Sequence, residues 1–258
     1  MKTEGETGEG AARLSGRRQG GLGRFLAGFL APVPLLLASA CYGADAFSVT
    51  TELQTAARGE KILPVRNIQQ LPEYPSGCEI TAAAIALNYL GCPVGKTELG
   101  RYFPIGGRPR PAGGKLVGPD PWTVFAGDPK DSGYGCFAPV VTQAVNRCLS
   151  ASGSVLRAEN RSGMKTADLI ALIDRGVPVV VWATIAMQAP YFGDAWYLNG
   201  TGEYFRWTAR EHCLVLIGYS GGQAVFSDPL DRRGTVRYDF SLFETRYRQL
   251  LCQAVVIG

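Results

Sequence analysis

The segment Pro75-Ser76-Gly77-Cys78-Glu79 closes one element and opens a helix. Ser76 followed three residues later by Glu79 has capping-box spacing, in which serine oxygen and glutamate carboxylate satisfy backbone N–H groups reciprocally. That pattern places Cys78 in the first helical turn and reads Glu79 as a cap rather than a catalyst. Unpaired N–H groups and the positive end of the helix dipole there favour a thiolate, the nucleophilic form of cysteine. A free cysteine is also a small buried hydrophobe in many proteins, and position alone leaves both readings open.

A cysteine nucleophile needs a base or an imidazolium partner. The chain holds one histidine, His212, within Arg210-Glu211-His212-Cys213. It enters the most apolar strand of the sequence, where a ring can face a helix terminus across a cleft. A lone strand-edge histidine is the alternative. Asp228 follows the next strand in Phe226-Ser227-Asp228-Pro229-Leu230, so a hairpin would bring it beside His212, where a carboxylate fixes the tautomer of an imidazole. Asp-Pro is equally a common way to start a turn.

These residues need a helix to carry the cysteine and a sheet to carry the histidine and the acid. Cys78 to Leu90 is an alanine-rich run closed by Gly91, Phe137 to Leu149 has apolar residues at helical spacing, and Thr166 to Arg175 ends at Gly176. Strands are expected at Val177–Ala183, Cys213–Tyr219, Gln223–Ser227, Thr235–Tyr238 and Gln253–Ile257, with a helix near Ser241–Gln249. Gly221-Gly222 reads as a hairpin turn. Helices first and strands later argue for an α+β fold. Residues 103–135 lack periodicity and read as a long loop, ordered by Trp122, Phe125 and Tyr134.

Over most of residues 62–257 the chain resembles the extracytoplasmic branch of cysteine-peptidase family thirty-nine, relatives of the bacteriocin-leader-processing peptidases. The stretches that carry the resemblance are four. They are Gln70-Leu-Pro72-Glu73-Tyr-Pro75-Ser-Gly77-Cys78-Glu79, then Gly127-Asp128-Pro129 with Gly133-Tyr134-Gly135-Cys136-Phe137-Ala138-Pro139, then Glu211-His212-Cys213, and Asp228-Pro229-Leu230. The resemblance implies a papain-like fold, its nucleophile helix packed on a C-terminal antiparallel sheet. It also implies Cys78 as nucleophile, His212 as base, Asp228 as orienter and Gln70 as the side-chain donor of an oxyanion hole, with no cofactor. A glutamine amide and the Cys78 N–H can both point at an oxygen that gains charge in acyl transfer. Gln70, beside Gln69, has an ordinary solvent-exposed reading as well. The leader peptidases place their glutamine closer to an Asp-Cys-Gly motif and belong to transporters. This chain has Gly-Cys-Glu, so cleavage of double-glycine leaders is not implied.

The function expected is hydrolysis of a peptide or isopeptide bond through a thioester. Amidase or transpeptidase action on cell-wall peptides would use the same residues, and a non-catalytic binding module would keep only the fold. Trp122, Trp196 and Trp207 fit a cleft wall, although aromatic residues are more often core.

With 258 residues, 46% hydrophobic and 19% charged, the chain can bury one substantial core. The division expected is a leader over 1–46 and one domain over 47–258. Residues 1–24 are polar with arginines and 25–40 read FLAGFLAPVPLLLASA, the layout of a secretory signal peptide. Sixteen apolar residues broken by Pro32 and Pro34 fall short of the roughly 20 that span a bilayer. Cleavage after Ala40 or Ala46 and lipidation of Cys41, preceded by Ala38-Ser39-Ala40, both fit. The protein is therefore expected outside the cytoplasmic membrane, secreted or held as a lipoprotein, with membrane contact only through that leader or lipid anchor.

Of the net charge of +4, +2 lies in residues 1–40, where five basic residues face three acidic ones. No basic stripe suggests a nucleic-acid partner. The partner expected is a peptide or protein substrate, with cell-wall peptide a further candidate, acting on a monomer. Seven cysteines without a C-x-x-C, and a single histidine, argue against structural zinc. They leave disulfide pairing open, with an odd number once Cys41 and Cys78 are set aside.

Overall fold

The computed structural model describes residues 59–258; the expected leader over 1–46 lies outside the described residues. The first element is a short strand, β1 (Glu60–Ile62), followed after an irregular stretch by helix α1 (Cys78–Tyr89). Every residue of α1 from Cys78 to Leu87 is buried, so it is a central helix without a polar stripe. Alanine at four positions suits such a helix, because it adds no side-chain entropy cost and lets neighbouring elements approach closely. Gly91, at φ +82°, ends it. Its N–H bonds to Asn88 and that of Cys92 to Leu87, the paired bonds of a Schellman motif.

A short helix α2 (Lys96–Leu99) leads into residues 103–135. The sequence suggests a loop there, but the backbone forms β2 (Ile105–Gly107), β3 (Arg110–Ala112), β4 (Lys115–Gly118) and β5 (Phe125–Ala126). Strands of two to four residues are too short to show a period of two. Helix α3 (Ala138–Ala151) buries Val140, Val141, Ala144, Val145, Cys148 and Leu149, the spacing of one helical face. Strand β6 (Ala158–Asn160) and helix α4 (Thr166–Asp174) precede β7 (Val179–Thr184). Six consecutive buried residues in β7 mark a strand covered on both faces.

Beyond it come β8 (Tyr191–Leu198), β9 (Tyr204–Ala209), β10 (Glu211–Ser220), β11 (Gln223–Ser227), β12 (Thr235–Asp239), α5 (Phe240–Gln249) and β13 (Ala254–Ile257). The main sheet runs β12-β11-β10-β7-β13-β6, and β1 pairs with the far end of β10. All of its pairings are antiparallel. Ser220 pairs with Gln223 across Gly221-Gly222, whose φ values of +54° and +80° are those of the tight hairpin turn read from the sequence. Helix α1 lies against β10 and β7. The architecture is therefore mixed α+β, with an antiparallel sheet behind the cysteine-bearing helix.

Strands β3, β4, β8 and β9 form a second sheet. From it Trp196 and Trp207 turn inward to meet Tyr134 and Phe137. The Phe137 and Trp207 rings stack at 5.7 Å, and Tyr134 and Trp196 lie 4.8 Å apart. Trp196 and Trp207 are core residues, and Trp122 packs on Phe137 at 4.5 Å.

Candidate active site

Cys78 is the first residue of α1, as its sequence position suggests, but the capping box does not form. Gly77 is the N-cap and no side chain caps the helix. The Ser76 hydroxyl instead donates to the carbonyls of Asp128 and Asp131, tying the turn before the helix to the 127–133 segment. Glu79 is fully buried, and its Oε1 accepts the Cys136 N–H at 2.6 Å. The Cys78 thiol is 6% exposed. It donates to Glu79 Oε2 at 3.3 Å, and its sulfur accepts the Cys213 N–H at 3.4 Å.

That last contact puts the sulfur against the start of β10, one residue from His212. The imidazole is 2% exposed, and its Nε2 lies 2.8 Å from Asp228 Oδ1. Asp228 immediately follows β11, so the β10–β11 hairpin delivers both residues to one place. The same Oδ1 accepts the Leu230 N–H at 2.8 Å and the Asp231 N–H at 3.3 Å. Burial alone would raise the Asp228 carboxyl. The hydrogen bond and charge of His212, with the two backbone N–H groups, outweigh it and hold the carboxyl below its usual range. With Nε2 committed to the carboxylate, Nδ1 is the nitrogen left for another partner. Among the described residues, the hydrogen bonds of Cys78 do not include His212.

Gln70 is buried at 2% exposure, unlike an ordinary surface glutamine. Its backbone N–H bonds to the Pro229 carbonyl at 2.8 Å, and its Nε2 donates to the Pro75 carbonyl at 3.0 Å. The amide therefore bridges the Asp228-Pro229 turn and the segment just before Cys78, while Oε1 is enclosed without a partner. Gln69 faces elsewhere, donating to Asn67 and the Asp231 carbonyl. Cys78, His212, Asp228 and Gln70 thus gather around the N-terminus of α1 and the β10–β11 end.

Two further acids stand in the same place: Glu79, which the sequence suggests as a helix cap, and Glu211, to which it gives no role. Ligand atoms of Cys78, Glu79 and Glu211 lie within 4.8 Å of one another, which brings the two carboxyls close together beside the thiol. Burial raises Glu79 to about 7, against the Cys136 N–H, its own N–H, the thiol and His212. Burial and the Glu79 charge raise Glu211 well above the carboxylate range. The signal that could have revealed Glu79 is the helix itself: a run apolar on every face has no solvent side for a glutamate.

The same surroundings correct the expectation of a readily ionised Cys78. Burial pushes the thiol well above its usual range, and charge on Glu79, Glu211 and Cys213 adds to it, opposed by the Cys213 N–H. The α1 dipole is present, but enclosure and two acids outweigh a helix end. Six cysteines are described and all are free thiols. At the far end of α1, Cys92 and Cys148 line a cavity of about 370 Å³ with Leu87, Glu98 and Tyr102.

Comparison with known proteins gives this geometry a context. The chain is 27% identical over 208 residues to the uncharacterized protein YvpB of Bacillus subtilis (strain 168), covering 80% of this chain and 78% of that protein. Its fold superposes on the crystal structure of a candidate C39-like peptidase from Bacillus anthracis with a TM-score of 0.67 and 28% identity, over 77% of this chain and 97% of that one. The model of the Peptidase C39-like family matches residues 62–255, a span that holds the helix with Cys78, the hairpin with His212 and Asp228, and most of the main sheet. The chain belongs to the Peptidase C39-like family.

Proposed function

We propose that this protein is a papain-like cysteine peptidase that hydrolyses a peptide or isopeptide bond through a thioester on Cys78. The observation that carries the reading is the 2.8 Å contact of His212 Nε2 with Asp228 Oδ1, one residue along β10 from the N–H that reaches Cys78 Sγ. In this reading His212 takes the thiol proton on Nδ1 and returns it to the leaving amine, while Asp228 fixes the tautomer and stabilises the imidazolium. The sulfur attacks the scissile carbonyl, the amine leaves, and water hydrolyses the thioester. Oxygen charge developing at the carbonyl meets the Cys78 N–H at the start of α1 and the Gln70 amide, whose first N–H stays on the Pro75 carbonyl while the second is the one to serve. Burial of the thiol is compatible with this chemistry, because proton transfer to imidazole can accompany substrate binding instead of preceding it.

Family membership supports a peptidase, and the leader-like residues 25–40 support action outside the cytoplasmic membrane. A peptide library and purified muropeptides, digested in parallel by the full chain and by Cys78→Ser, test the reading. Products from the library that vanish with Cys78→Ser are expected. Products from muropeptides alone would replace the peptidase by a cell-wall amidase, and turnover unaffected by Cys78→Ser would overturn the site.

A further inference from the structure

Glu79 and Glu211 have no role in the scheme above, yet they are the acids nearest the sulfur. Glu79 reaches Cys78 Sγ with Oε2 and the Cys136 N–H with Oε1, so both of its oxygens are engaged. Glu211 Oε1 is enclosed without a hydrogen-bond partner, and a buried carboxylate oxygen in that state is costly unless it carries or receives a proton. Gly135 is pressed against both groups: a Cβ there would stand 2.1 Å from Glu79 Oε1 and 3.3 Å from Glu211 Oε2. The Cys136 carbonyl is held in turn by Trp182 Nε1 at 3.1 Å. The backbone at 135–136 is therefore held in place against both carboxyls.

The groups facing the pair leave its charge largely uncompensated. From α1 there is Cys78, from β10 His212 and Cys213, from the segment before α3 Cys136, and beyond His212 the carboxylate of Asp228. Among the described residues neither Glu79 nor Glu211 forms an ion pair with lysine or arginine. Two buried carboxyls this close do not both ionise near neutrality, and their protons belong to the pair.

We propose that Glu79 and Glu211 hold one proton between them beside Cys78, Glu79 being a further catalytic residue in contact with the sulfur and Glu211 the positioning residue that keeps the proton there. In the resting state the thiol donates to Glu79. When the S–H bond breaks and the proton passes to His212 Nδ1, the sulfur keeps the Cys213 N–H that it already accepts and, when the proton stands on Glu79, accepts its O–H as well. No other proton is gained or lost. Full ionisation of the pair at higher pH removes that donor and sets negative charge against the thiolate. The consequence for catalysis rests on the cysteine-peptidase reading; the shared proton does not.

Infrared difference spectroscopy of the chelator-treated full chain at neutral pH, against Glu79→Gln and Glu211→Gln, reads the proton directly. A protonated-carboxyl C=O band that either substitution removes is expected. Its absence from the wild type, or its survival in both variants, overturns the proposal. A second readout is the Cys78 alkylation rate against pH. Above neutrality Glu79→Gln is expected to alkylate about tenfold faster, the effect of lowering the thiol pKa by one unit, whereas a purely structural glutamate would leave the profile where it is. Should Glu79→Gln fail to fold, Glu211→Gln alone decides through the band. A band without any hydrolysis keeps the shared proton and sinks the peptidase, and hydrolysis without a band does the reverse.

Discussion

His212 and Asp228 meet through Nε2 and Oδ1 at 2.8 Å, both nearly fully buried, sixteen residues apart in sequence and joined by one hairpin. The contact assigns the two imidazole nitrogens different work. All three partners share Oδ1, so Asp228→Asn either keeps an oxygen there as a weaker, uncharged acceptor for Nε2 or, flipped, sets an amide N–H2 against Nε2 and the two backbone N–H groups. Peptide turnover by Asp228→Asn is expected to fall on the order of a thousandfold or more in kcat, with KM little changed. Equal kcat for the two proteins in steady-state assays would remove Asp228 from the mechanism.

Gln70→Ala tests the oxyanion assignment, since losing one such donor typically costs on the order of a hundred- to a thousandfold in kcat. Gln69→Ala is the control, because Gln69 bonds to Asn67 and Asp231 and turns away from Pro75. A larger loss in the control than in Gln70→Ala would show that Gln70 acts only as a strut between Pro229 and Pro75.

Gly135→Ala would drive a methyl group into Glu79 Oε1, with backbone on one side and a buried acid on the other. A destabilisation of about 1–3 kcal/mol is expected, the usual cost of overpacking, measured from the shift of the denaturant midpoint. Gly153→Ala is a poor comparison because its φ is positive. Gly95→Ala is better, since a Cβ there meets nothing within 4 Å, and it should be close to neutral.

Glu79 also predicts how stability varies with pH. Its carboxyl is raised from 4.5 to about 7 in the fold, so between those values the folded chain holds a proton that the unfolded chain releases. That contribution is complete below about 4.5 and is lost as pH rises through about 7. Asp228, held below its ordinary value, works in the opposite sense: its contribution is present above 3.8 and disappears as pH falls through the folded value. Thermal unfolding of the wild type should therefore move to lower temperature from pH 5 to pH 8, and Glu79→Gln should flatten that slope. An unchanged slope in the variant would contradict the assignment.

Much of this site is legible before any coordinates, because its parts are local. Cys78 opens an alanine-rich helix that a glycine stops, and Gly221-Gly222 fixes the hairpin that pairs His212 with Asp228. What escapes the sequence depends on distant neighbours. Glu79 has the spacing of a cap to Ser76, yet the Cys136 N–H, 57 residues away, takes its oxygen and Asp128 and Asp131 take the serine. Glu211 looks like a solvated residue at a strand end until Gly135 closes over it. Strands β8 and β9 were hidden for a different reason: Tyr191 to Ala209 mixes outward Tyr204 and Arg206 with inward Trp196 and Trp207, so both faces of the sheet carry aromatic residues and the period of two is blurred.

The central claim is that Cys78 acts with His212 as a nucleophile. Mass-spectrometric mapping after a peptidyl-epoxysuccinate or a low dose of iodoacetamide reads this most directly, in the folded full chain and in His212→Ala. Cys136, Cys148, Cys213 and Cys252 are buried and Cys92 is partly buried, so they provide internal references for an unactivated thiol. Among the described cysteines the account predicts a single adduct, on Cys78, that forms much more slowly in His212→Ala while the references stay unchanged. A Cys78 that is no more reactive than Cys213 in the wild type, or that labels equally fast without the imidazole, would contradict it.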